Sequence, residues 1–171
     1  MKNIYLFLIL LFIIGCEFNP LSKTSSVTIS CPSVLFASEH KTYVGSLSEI
    51  ITLDNIAYQA EINNAVFTKG CHLKDNEFSS NLSLLFIVSP LEESQNMINL
   101  PFYVAVVNES KDVQDIQYYL IKDVFQKNLE TNELIETDLT KPILINLPSM
   151  DKSSFVVIGF MLDKNRLEIL N

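Results

Sequence analysis

Three cysteines, two histidines and twenty carboxylates are the main reactive side chains of this 171-residue chain, and few stand at spacings that chemistry requires. Cys31, Cys71, His72 and Asp75 offer thiolate, imidazole and carboxylate, a donor set that would suit zinc or copper if both thiols stayed reduced. Two lone cysteines in an oxidising compartment instead form a bridge, which leaves His72 as an exposed turn residue. The bridge is the expectation, and no metal or cofactor is assigned. Nucleophilic hydrolysis needs a Ser or Cys beside an oriented base. Only His40 and His72 could be that base, and the chain holds neither a G-x-S-x-G elbow nor a Gly-rich phosphate loop. Carboxylates cluster at Glu92 and Glu93, at Asp112 and Asp115, and at Glu130, Glu133 and Glu136, where they could pair for glycoside hydrolysis or bind calcium. They lack EF-hand spacing and fit solvated loops. No catalytic residue is expected, and the chain reads as a non-enzyme.

Charge narrows the partners. The formal net charge is -8, and it becomes -9 if a leader carrying Lys2 is removed. Phosphates and anionic headgroups are repelled by such a surface. Eleven lysines accompany a single arginine, Arg166, so bidentate phosphate recognition also lacks its usual forks. Nucleic acid is not an expected partner.

Lys2 precedes an unbroken apolar run over residues 4–14 that ends at Gly15-Cys16-Glu17. Eleven residues are too few to span a bilayer, which takes about 20, but they suit the core of a signal peptide. Ile13-Ile14-Gly15-Cys16 resembles the bacterial lipobox. That resemblance implies a diacylglycerol thioether on Cys16, cleavage before it, and stable anchoring by two or three acyl chains. Glu17 stands where many inner-membrane lipoproteins carry aspartate, so the expected site is the periplasmic face of the outer membrane, with the membrane itself as one partner. Residues 1–15 then form the leader and 16–26 a polar tether of up to roughly 33 Å. With Cys16 lipidated, Cys31 and Cys71 remain as the pair for a disulfide.

From Val27 onward the dominant period is two, and the length supports one domain over residues 27–171. Ile56, Tyr58, Ala60, Ile62 and Val66 fall on one face of a predicted strand opposite Gln59, Glu61 and Asn63. Phe78, Leu82, Leu84, Phe86 and Val88 do the same in the next, until Leu85 and Ile87 break the alternation. Residues 104–107 and 155–162 are continuous apolar runs of central-strand length, and Ile143, Ile145 and Leu147 add another. Asp54-Asn55, Asp75-Asn76, residues 108–111 and Thr131-Asn132 supply turn chemistry between them. An all-β, antiparallel immunoglobulin-like sandwich is the architecture this spacing favours. Residues 164–171 fit a short C-terminal helix with Asp163 as N-cap. Val113, Ile116, Leu120 and Val124 keep helical spacing, whereas the pairs Tyr118-Tyr119 and Val124-Phe125 suit a strand.

Several phrases in fixed order, CPSV at 31, YQAEI at 58 followed by Cys71, PFYVAVV at 101, IKDVF at 121, INLP at 145 and VVIGFMLDKNRLEILN at the end, resemble a group of uncharacterised lipoproteins of alphaproteobacteria. The resemblance covers most of the mature chain and brings no activity with it. It departs between residues 33 and 53, where that group is richer in glycine and arginine, and over 91–100. It implies a strand through Ile121 to Phe125, which assigns the ambiguous segment to β.

Both cysteines of the pair stand beside strand ends, where neighbouring strands can bring two Cα atoms within the roughly 4.4–6.8 Å of a bridge. Residues 89–100 are long for a hairpin and hold Met97, Ile98 and Leu100, so they could form a recognition edge or fold back over the core. The leading expectation is a non-enzymatic binding or structural component of the envelope with a protein partner. A small-ligand or lipid carrier and a carboxylate enzyme are the alternatives.

Overall fold

The computed structural model describes residues 26–170 apart from Leu47, Glu49, Asp75, Asn76, Gln95 and residues 148–153. Cys16, its apolar leader and the Asp75-Asn76 turn lie outside the described residues. Ten strands and a C-terminal helix follow in order: β1 (Val27–Ile29), β2 (Val34–Phe36), β3 (Thr42–Ser46), β4 (Ile56–Phe67), β5 (Cys71–Lys74), β6 (Glu77–Pro90), β7 (Met97–Val107), β8 (Val113–Val124), β9 (Thr137–Leu147), β10 (Phe155–Phe160) and α1 (Lys164–Leu170).

They form a two-sheet, all-β sandwich. The larger sheet runs β1-β5-β6-β4-β3, with β9 on the other side of β6; the smaller runs β2-β10-β7-β8. Phe67 pairs with Leu82 and His72 with Ser79, so β4 and β5 are two pieces of one line along the same side of β6. Every described pairing of named strands is antiparallel except that of β10 with β2, where Val157 stands opposite Leu35 in parallel.

The strands form where the apolar alternation predicts, and their inner faces build one core. Phe78, Leu82, Leu84, Phe86 and Val88 of β6 are all buried, as are Ile98, Leu100, Phe102, Val104 and Val106 of β7 and Val156, Ile158 and Phe160 of β10. Phe86 meets Phe102 and Phe160 across the sandwich at ring separations of 5.3 and 5.8 Å. Such tilted aromatic pairs lock inter-sheet packing as well as removing area from water.

The alternation fails at one place in β4. The register shifts between Ile62 and Asn64, inserting Asn63 as an extra residue opposite β6. One extra residue reverses every side chain beyond it. Val66, expected inside, is therefore 52% exposed, while Ala65 and Phe67 pack against the core.

Residues 113–124 are strand throughout, hydrogen-bonded to β7 from Val107–Val113 to Met97–Val124. The expected long loop over residues 89–100 is short. Pro90 still belongs to β6, β7 opens at Met97, and Ile98 and Leu100 are core residues. Asp163 caps α1 as expected: its Oδ1 accepts the Arg166 N–H at 2.9 Å. Arg166 in turn donates from Nε to the Val44 carbonyl at 2.9 Å and lays its guanidinium 4.9 Å from the centre of the Tyr43 ring, pinning the helix to β3. Lys111 and Asn132 take positive φ, 68° and 60°, at two of the predicted turns.

Candidate interaction face

Cys31 and Cys71 are joined by a disulfide, with Cα atoms 5.2 Å apart at a sequence separation of 40. Ile29 pairs with Cys71 in the β1-β5 ladder, so the bridge fastens the exit of β1 to the start of β5, just past the end of β4. Both thiols are consumed, and the imagined thiolate donor set is lost. His72 is a partly buried residue of β5, not an exposed turn residue, because β5 extends the line of β4; its Nδ1 is buried without a hydrogen-bond partner among the described residues. His40 lies elsewhere, beside β10, where Nδ1–H donates to the Phe160 carbonyl at 2.9 Å and the ring meets Tyr103 edge-on at 5.8 Å. The fold does not bring the two histidines together.

The acidic clusters serve turns. Asn108 Nδ2 donates to Asp112 Oδ2 at 3.3 Å and Asn108 Oδ1 accepts the Asp112 N–H at 2.8 Å, which closes the β7-β8 connection. Glu133 accepts from the Thr131 hydroxyl at 3.0 Å and Glu136 from Ser89 at 2.7 Å. These contacts distribute the carboxylates over separate loops.

Tyr58 ties the sheets together. From β4 its hydroxyl donates to the Asn99 carbonyl of β7 at 2.7 Å and accepts the Asn99 N–H at 3.0 Å. Burial pushes its phenol up to about 12.

One side of the sandwich is open between the free edges of β8 and β9, and side chains close it. Lys141 Nζ donates to Asp123 Oδ2 at 2.7 Å, and Gln117 donates to the Asn146 carbonyl while accepting the Tyr119 hydroxyl. Tyr119 stacks on Phe102 with ring centres 5.1 Å apart. The Lys141 hydrogen bond is the main reason why the Asp123 carboxyl is held below the usual carboxylate range. Inward-pointing charges and Pro142 on β9 are devices that keep sheet edges from pairing with other chains.

The two outer faces differ in chemistry. On the larger sheet, β6 turns Ser79, Asn81, Ser83 and Ser89 outward along with Leu85 and Ile87, and Glu61 and Val66 of β4 and Asp138 and Leu144 of β9 lie beside them, so polar and apolar groups are mixed. The smaller sheet turns apolar groups outward instead. Leu35, Tyr118, Leu120 and Val124 are 48%, 62%, 56% and 57% exposed, and Ile116, Val157 and Tyr103 continue the patch across the strands. Ala105 lies sunk between Val157 and Ile116, and the Tyr103 ring lies over Gly159, where a β-carbon would meet its hydroxyl at 2.7 Å. Lone exposed hydrophobes are ordinary, but a contiguous apolar sheet face marks an interaction surface. Apolar positions on both faces of β8 were visible in its sequence, yet their assignment to the outside needed the β7-β8 register.

No protein-family model, curated protein or solved structure matches this chain. The fold and this face define it as an all-β sandwich whose smaller sheet carries a contiguous apolar outer face.

Proposed function

We propose that this chain is a lipid-anchored envelope protein, held through Cys16 at the periplasmic face of the outer membrane, that acts as a non-enzymatic binding or structural component. The apolar outer face of the smaller sheet carries the reading, because Leu35, Tyr118, Leu120 and Val124 stay exposed on it beside the part over Gly159 and Tyr103 that His40 covers. The lipobox-like run before Cys16 supports the anchor, and the ordered phrases resembling alphaproteobacterial lipoproteins support the compartment. The Cys31–Cys71 bridge fits an oxidising environment. A carrier would hold its ligand between the sheets, where Phe78, Phe86, Phe102 and Phe160 already fill the space. Metabolic labelling with palmitate tests the anchor: the wild-type chain is expected to incorporate label and Cys16→Ser to lose it. Label retained by the variant, or a mature protein that keeps Met1, overturns the anchored reading.

A further inference from the structure

We infer that the apolar face of the β2-β10-β7-β8 sheet is the contact between two copies of this chain, packed sheet against sheet. The inference rests on the reading of that face as a docking surface and adds the occupant. Charge is the first argument. Each copy carries a formal net charge of -8, or -9 once the leader with Lys2 is removed, so two copies repel wherever their carboxylates face one another. The outer face of the larger sheet carries Glu77 and Asp138 beside Glu61, which is paired with Lys41 at 2.6 Å, so two copies meeting there would bring carboxylates against one another. Along the paired β7 and β8, the outward residues include one charged side chain, Lys122, opposite Asn99. It is the surface on which two acidic copies can meet without opposing carboxylates.

Size is the second argument. At about 4.8 Å between strands and 3.4 Å per residue, the paired lengths of β7, β8, β10 and β2 give a footprint of roughly 500 Å² before side-chain relief is counted. Two such faces bury about 1,000 Å² in total, which reaches the threshold for a specific interface and lies above most lattice contacts. Shape agrees with this. Sheets stack about 10 Å apart when protruding side chains fill the dips of the opposite face. Here Tyr118 protrudes diagonally next to the dip over Ala105, with Leu120 one row further along, so one face holds both knob and hole.

The test places a photo-crosslinking amino acid at Tyr118 in the full-length protein in its native envelope, with Ser83 on the opposite sheet as control. A product of twice the chain mass, with the crosslink joining position 118 to a peptide of β7, β8 or β10, is expected from Tyr118 and not from Ser83. Leu120→Asp should lower that yield about tenfold or more, equivalent to about 1.4 kcal/mol, while thermal unfolding of the domain is unchanged. A crosslink to a different protein overturns the self-contact but leaves the docking reading standing. Crosslinks to lipid alone, or none from Tyr118, overturn both, and a yield untouched by Leu120→Asp overturns the self-contact.

Discussion

Gly45 on β3 and Tyr58 on β4 stand opposite each other in the ladder, and the Tyr58 ring occupies the volume that a side chain at position 45 would need. A β-carbon there would lie within the ring itself. The missing side chain lets the tyrosine lie flat across β3 and aim its hydroxyl at Asn99 in the other sheet. Gly45→Ala is therefore expected to push Tyr58 off Asn99 and to destabilise the domain by about 2–3 kcal/mol, as overpacked cores do. Urea unfolding checks it, and a midpoint equal to wild type would show that the ring has somewhere else to go.

Tyr58→Phe keeps the ring and removes the hydroxyl, leaving both Asn99 backbone groups without their partner; the expected cost is about 1–3 kcal/mol. The pH dependence is specific. The folded phenol titrates at about 12 against an ordinary 10.0, so the unfolded chain ionises first as pH rises. The stabilisation is full below pH 10 and is lost as pH climbs through 12, by roughly 2–3 kcal/mol in all. Urea unfolding at pH 8 and at pH 11 should show the gap between wild type and Tyr58→Phe narrowing with pH. A gap of constant size would mean that Tyr58 does not titrate differently in the two states.

Asp123 and Lys141 bridge the open side between β8 and β9. Because the folded carboxyl sits below its ordinary value, its contribution is present above the usual carboxylate range and is lost as pH falls through the folded value. Both groups are about one-third exposed, so Asp123→Asn should cost only about 0.5 kcal/mol at pH 7 and nothing near pH 2. Paired unfolding curves at the two pH values measure this, and equal losses at both would remove the ion pair as the cause.

Much of this fold was legible in the sequence because its core strands are half-buried and alternate cleanly. Phe78 to Val88 reads inward and outward apart from Leu85 and Ile87, which the structure turns outward and leaves partly buried, and β6 lies where that pattern puts it. Val66 was misplaced because period-two counting has no sign of an inserted residue; the Asn63-Asn64 pair is the only local hint of a bulge. The helix-like spacing of Ile116, Leu120 and Val124 is strand spacing as well, since steps of four return to one face, and Val113 joins that exposed face because the register shifts beside it. Ile121 points to the core, whereas Ile116, Leu120 and Val124 belong to the exposed patch. Lys141 and Pro142 hid the first half of β9, and both are tolerated there because the strand is an edge. The parallel pairing of β2 with β10 joins residues 34–36 to 156–158, and no local pattern specifies a contact so distant.

The disulfide makes the largest single stability prediction. Cys31 and Cys71 close a loop of 40 residues, and in the chain-entropy model that restraint on the unfolded chain is worth roughly 4 kcal/mol. Native domains are stable by only about 5–15 kcal/mol, so the bridge supplies a large share. Cys31→Ser with Cys71→Ser should therefore lower the melting temperature by about 8–16 °C, at about 2–4 °C per kcal/mol for a domain this size. The burial is asymmetric: Cys71 is fully buried against the core, while Cys31 lies on the outer stretch after β1. Replacing Cys71 alone by Ser adds the penalty of a buried hydroxyl, so Cys71→Ser should cost more than Cys31→Ser. Intact-mass analysis of alkylated protein, with and without reductant, checks the bridge directly. Two free thiols in protein isolated oxidised from the envelope would be incompatible with it, and equal losses from the two single variants would show that Cys71 contributes no packing beyond the bond.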